Sequence, residues 1–111
     1  RLIPALVQSG LPCDRFIFEG FLPTKKGRLN KLNQMASESK TTVFYESPHR
    51  LLKLIHQMKT IFGGNRKIAI VREISKLHES TFTGTLEEAK LYFEGKKPKG
   101  EFVIIVDGIN N

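Results

Sequence analysis

The chain has 111 residues and a formal net charge of +7, from 18 Lys and Arg against 11 Asp and Glu. Its length allows one domain, its 40% hydrophobic and 26% charged content excludes wholesale disorder, and no apolar run approaches the roughly 18 residues of a membrane span. One cysteine, Cys13, excludes an intrachain disulfide framework and a Cys-based zinc site, so a reducing, cytoplasmic setting is expected.

The chain opens at Arg1 rather than Met and is expected to be part of a longer polypeptide. Residues 2–8 are mostly apolar and read as the last turns of a helix, which Ser9-Gly10-Leu11-Pro12 ends. Apolar residues around Arg15 and Glu19 predict a short strand over Arg15–Phe21. A polar, basic, glycine-punctuated loop follows through Thr24-Lys25-Lys26-Gly27. Helical spacing of Leu29, Leu32, Met35 and Ala36 predicts an amphipathic helix over Arg28–Glu38. Thr41–Glu46 is rich in β-branched and aromatic residues and predicts a buried strand.

Ser47 then suits an N-cap and Pro48 the first helical position. The helix they open carries Leu51, Leu52, Ile55 and Met58 on one face and stops at Gly63-Gly64-Asn65. Lys67–Ile74 predicts a third strand, residues 75–78 a connector, and Glu79–Thr83 a weaker strand that pairs back as a hairpin. Thr85 with Glu88 forms a capping box for a helix whose apolar face is Leu86, Ala89 and Phe93. Gly95–Gly100 is a basic loop, and Glu101–Asp107 is apolar enough for a central strand. The order predicts an α/β fold: a mixed, mostly five-stranded sheet flanked by helices.

The positive charge suits a polyanion, nucleic acid ahead of an anionic membrane surface. Four segments concentrate chemistry. Tyr45-Glu46-Ser47-Pro48-His49-Arg50 joins a strand end to a helix start, where open α/β sheets bind ligands. Glu46 could take hydroxyls there, and His49 and Arg50 phosphate; an ordinary capped helix start is the alternative. Arg72-Glu73-Ile74-Ser75-Lys76-Leu77-His78-Glu79 crowds ionisable groups that can tune one another, or form a surface ion-pair network. Lys25, Lys26 and Arg28 suit phosphate-backbone contacts. Lys96-Lys97-Pro98-Lys99-Gly100 reads as a solvated turn. The scattered His49, His56 and His78 give no metal-ligand spacing, and no phosphate loop, dinucleotide fingerprint or hydrolase elbow is present.

Taken in order, Ser9-Gly10-Leu11-Pro12, Asp14-Arg15-Phe16, Phe18-Glu19-Gly20-Phe21-Leu22-Pro23, Phe44-Tyr45-Glu46-Ser47-Pro48-His49-Arg50, Arg72-Glu73 with Lys76 and His78-Glu79, and Lys99-Gly100-Glu101 resemble the C-terminal half of the bacterial 16S rRNA cytidine 2′-O-ribose methyltransferases, in the tetrapyrrole methylase superfamily. The likeness spans essentially the whole chain. It departs at Thr24, where the family usually has Arg, and at Ile74-Ser75, where it usually has Leu-Thr.

The resemblance implies an S-adenosylmethionine-dependent enzyme of two α/β domains, with cofactor and active site in the cleft between them. It implies a homodimer acting on 16S rRNA in the small ribosomal subunit. Residues 1–12 would be the interdomain junction and 13–111 the C-terminal domain, and without the N-terminal domain this piece is expected to be inactive. Ribose methylation needs positioning and removal of a hydroxyl proton, and no metal. Glu46, His49, Glu79 and Lys76 are the candidate catalytic groups. Leu11, Pro12, Glu46, Ser47 and Pro48 are expected against the cofactor, its adenosine lying near both segments. Lys25, Lys26, Arg28, Arg50 and Arg72 are expected on RNA. A tetrapyrrole methylase and a non-catalytic RNA-binding or dimerisation module are the competing readings.

Overall fold

The computed structural model of the protein describes residues 9–12, 14–75 and 78–109. In chain order these form β1 (Phe16–Phe21), α1 (Arg28–Ala36), β2 (Thr41–Glu46), α2 (Leu51–Phe62), β3 (Lys67–Ser75), β4 (His78–Thr85), α3 (Leu86–Phe93) and β5 (Glu101–Val106). The strands make one sheet in the order β1-β2-β5-β3-β4. β1 and β2 run parallel, and the other neighbours are antiparallel. The mixed five-stranded sheet is thus as the sequence predicts, with β5 at its centre.

Strand alternation decides which face each side chain takes. Phe44 pairs with Ile104 and Ile104 with Ile70, so these residues share a face with Phe102, Val106 and Ile68. All three helices pack on it: Leu32 and Met35 from α1, Leu51, Leu54, Ile55 and Met58 from α2, Leu86, Ala89 and Phe93 from α3. Full burial of each large apolar side chain contributes roughly 1.5–3 kcal/mol. The other face buries Val43, Ala69, Val71 and Ile105, against which Leu11 and Val103 pack, and no residue of α1–α3 joins that cluster.

Local chemistry sets the ends of elements. Thr85 Oγ1 accepts the Glu88 N–H at 3.2 Å and Glu88 Oε1 accepts the Thr85 N–H at 2.8 Å, so the capping box forms as expected. The β3–β4 hairpin is longer than predicted, pairing from Lys67↔Thr85 to Ser75↔His78. Ser47 and Pro48 do not start α2, whose N-cap is Arg50. They form a turn instead: the Arg50 N–H donates to the Ser47 carbonyl at 3.1 Å, with Pro48 at the turn position its fixed φ suits. The Ser47 hydroxyl accepts from Arg50 Nη1 at 2.8 Å rather than from a helix N–H.

Arg66 ties the far end of the sheet together. It lies 5.0 Å from the Phe62 ring centroid and donates to the carbonyls of Ala36 at 2.6 Å and Asp107 at 3.2 Å. Burial pulls the pKa of its guanidinium below the ordinary value, with the Asp107 charge opposing. The helix tail expected over residues 2–8 and Cys13 lie outside the described residues.

Candidate active site

The carboxyl end of β2 is fixed by a buried ion pair. Arg28, the first residue of α1, places Nη2 2.9 Å from Glu46 Oε2, and the two side chains are 5% and 4% exposed. Its Nε donates to Gln57 Oε1 at 3.0 Å and its Nη1 to the Pro23 carbonyl at 3.1 Å. Glu46 Oε1 accepts the Ser47 N–H at 2.9 Å. A buried charge pair is tolerated when its remaining donors and acceptors are met in this way. Arg28 is therefore no surface cation: the phosphate contact expected of it is corrected to an internal clamp joining the basic loop, β2 and α2. Glu46 is likewise committed through both oxygens.

Beside this clamp, on the face without helices among the described residues, opens a cleft of about 360 Å³. Phe21, Tyr45, Ser47 and Pro48 form one wall. Phe18 and Phe21 both pack on the Tyr45 ring with centroids 5.3 Å away. The opposite wall comes from β3, β4 and β5, where Glu73 pairs with Glu79 on one side and with Glu101 on the other. Three carboxylates thus stand side by side, and no Lys or Arg lines the cleft among the described residues. Like charges directly opposite one another are unfavourable in a sheet, and Glu73 makes a further interaction of its own.

Of the residues expected at the site, Glu46, Ser47, Pro48 and Glu79 are brought together in this cleft. His49 is exposed on the adjoining turn, and Arg50 Nη1 lies 4.0 Å from Glu46 Oε1. Leu11 and Pro12 are elsewhere: the Thr41 hydroxyl donates to the Pro12 carbonyl at 2.6 Å, at the amino end of β2. Five residue steps of strand, about 16 Å, separate them from Glu46, so the two segments expected to share the adenosine lie at opposite ends of β2. Lys25 and Lys26 are exposed in the loop before α1. Arg72 pairs with Phe102 and so faces the helices, away from the cleft. Lys76 lies outside the described residues.

Phe21, Tyr45, Glu73 and Glu101 line the cleft without having been singled out as site residues. For Glu101 the only signal is register: nothing local to the Lys99-Gly100-Glu101 segment says that it meets Glu73.

A family profile described as Tetrapyrrole (Corrin/Porphyrin) Methylases matches residues 3–90. The chain is 45% identical over 108 residues to Ribosomal RNA small subunit methyltransferase I of Synechocystis sp., covering 96% of this chain and 39% of that protein. It is 43% identical over 107 residues to the protein of the same name from Thermotoga maritima, covering 96% and 48%. The chain thus spans less than half the length of these relatives. Among solved structures, the methyltransferase CobJ superposes with a TM-score of 0.69 at 15% identity, over 98% of this chain and 48% of its own. Uroporphyrin-III C-methyl transferase from Thermus thermophilus, complexed with S-adenyl homocysteine, gives 0.58 at 18% identity, over 94% and 48%. The structural likenesses show the fold, and the sequence matches, which run along most of the chain, show that it belongs to the tetrapyrrole methylase family.

Proposed function

We propose that the chain is the C-terminal half of an S-adenosylmethionine-dependent methyltransferase that methylates the ribose 2′-OH of a cytidine in 16S rRNA of the small ribosomal subunit. The observation that carries this reading is a contrast in likeness. The chain is 42–45% identical along 96% of its length to proteins named Ribosomal RNA small subunit methyltransferase I, but 15–19% identical to CobJ and the uroporphyrin-III methylases.

The residues present fit the cofactor. A carboxylate-lined cleft with apolar walls suits a group that carries a sulfonium and an ammonium, and Glu73, Glu101 and the Ser47–Pro48 turn would hold it. When bound, S-adenosylmethionine supplies the methyl group. The chain's own residues do the rest. Phe21 and Tyr45 give one wall an apolar, aromatic surface. Glu46, locked by Arg28, positions the Ser47–Pro48 turn. Glu79 is exposed, lines the cleft and takes the ribose hydroxyl proton on a carboxylate oxygen, as general-base catalysis requires. Lys25, Lys26 and Arg50 would hold the RNA backbone, and their contacts position rather than specify.

Residues 1–12 would be the junction to the other half of the enzyme, which would close the open face of the sheet. A homodimer is part of the reading, and Phe16, Phe18 and Phe21, 37%, 45% and 68% exposed on the edge strand β1, are apolar surface left for the other half of the enzyme to cover. A cytoplasmic location follows from the ribosomal substrate, and no helix among the described residues is long and apolar enough to cross a membrane. The test supplies the full-length protein with methyl-labelled S-adenosylmethionine, small subunits lacking the modification and, in parallel, a tetrapyrrole precursor. Label at a ribose of 16S rRNA supports the reading; label on the tetrapyrrole, or on neither, overturns it.

A further inference from the structure

We propose that a second cleft, between the β3–β4 hairpin and the C-terminal end of α3, is a subsite for one nucleotide of single-stranded RNA, with its phosphate on Arg72 and Lys97 and its base against Phe82 and Tyr92. This rests on the RNA-methylase reading above and adds a place where the substrate is held away from the reacting centre.

The cleft has a volume of about 410 Å³, within the range of roughly 300–1,000 Å³ usual for small-molecule sites. Its chemistry is opposite to that of the first cleft. Arg72 and Glu73 are consecutive on β3, so strand alternation sends one to each face: Glu73 joins the carboxylates on the open face, and Arg72 enters this cleft with Lys96 and Lys97. No Asp or Glu lines it among the described residues. The Arg72 Nε is buried and meets no acceptor among the described residues. The Nε itself is closed off from the cleft, so a phosphate would meet the guanidinium through its terminal nitrogens, whose flat fork matches phosphate oxygens.

The basic loop reaches Arg72 because Gly100 lets it. Gly100 has φ +93, and a Cβ there would lie 2.5 Å from the Glu73 carbonyl oxygen, so the loop runs directly against β3. Lys96 is already held: its ammonium donates to the Tyr92 carbonyl at 2.6 Å and lies 4.2 Å from the Tyr92 ring centroid. Lys97 is exposed and is the cation left to meet a phosphate beside Arg72. Phe82 and Tyr92 stand with ring centroids 5.1 Å apart and planes tilted by 33°, and Tyr92 is 50% exposed. An aromatic surface beside cations is the arrangement that binds single-stranded bases by stacking. A bare phosphate would use the cations and leave the rings idle.

The test measures binding of a short, labelled, cytidine-containing RNA single strand to the full-length protein as salt is varied. Arg72→Met and Lys97→Gln are each expected to weaken binding about tenfold and to reduce the log–log salt slope by about 0.7, the value for one lost phosphate contact on a single strand. Tyr92→Leu is expected to weaken binding about tenfold with the slope unchanged, because stacking releases no counterion. Lys53→Gln, an equal loss of charge at an exposed position of α2, is expected to leave both unchanged.

Cytidine 5′-monophosphate is expected to compete with the RNA, and inorganic phosphate at the same concentration to compete far less; equal competition would reduce the site to an anion site and overturn the proposal. Should Arg72→Met fail to fold, Lys97→Gln, an exposed loop change, carries the same test. RNA binding unchanged in both variants, while the wild type methylates small subunits, overturns the subsite and leaves the methylase reading standing. Loss of cytidine monophosphate binding in the variants, with no methylation of subunits by the wild type, does the reverse.

Discussion

The Arg28 guanidinium spends its donors inside the protein, on Glu46, Gln57 and the Pro23 carbonyl. Removing one partner of such a pair leaves the other charge buried alone, at a cost of about 3–5 kcal/mol. Arg28→Met is therefore expected to lower stability by that amount in urea denaturation, and Arg28→Met/Glu46→Leu to recover most of it; a loss below about 1 kcal/mol in the single variant would contradict the clamp. Lys25→Gln and Lys26→Gln are expected to change stability by less than about 0.5 kcal/mol. In RNA titrations each is expected to lower the salt slope by about 0.7, and an unchanged slope would remove them from the interface. The three cations look alike in the sequence. What separates them is the position of their acceptors, 18 and 29 residues further along the chain for Arg28, and no local pattern reports that.

At the scale of elements, the readings that hold rest on local chemistry. The Thr85–Glu88 capping box, the apolar face of α2 and the central place of β5 were legible because spacing and composition specify them. The start of α2 was not: Ser47-Pro48 suits a helix cap and a turn equally well, and the bond to Arg50 decides for the turn. Nor was the row Glu79-Glu73-Glu101, which exists only because β5 inserts between β2 and β3. The close approach of the basic loop to β3 gives a prediction at this scale. Gly100 and Gly95 both have positive φ, +93 and +79, but a Cβ at Gly95 meets nothing within 4 Å. Gly95→Ala is expected to cost only the backbone penalty of about 1–2 kcal/mol. Gly100→Ala adds a collision with the Glu73 carbonyl and is expected to cost clearly more in thermal melts. Equal losses would mean that the loop does not bear on β3.

At the scale of the whole molecule, which carries a net charge of +7, the two clefts differ in the charges that line them. Glu73, Glu79 and Glu101 line the cleft of the open face, while Arg72, Lys96 and Lys97 line the cleft on the other side of the sheet. Net charge alone pointed to nucleic acid; it could not show that the candidate reacting centre is the acidic part of a basic protein. The central claim is that this acidic cleft is where the ribose hydroxyl loses its proton. The most direct measurement is the single-turnover rate of methyl transfer to unmodified small subunits by full-length Glu79→Gln at saturating substrate. The account predicts a rate about 10²–10⁴-fold below that of the wild type, with affinity for the subunit unchanged. A rate within about twofold of the wild type, far inside the range that loss of a general base produces, would contradict it.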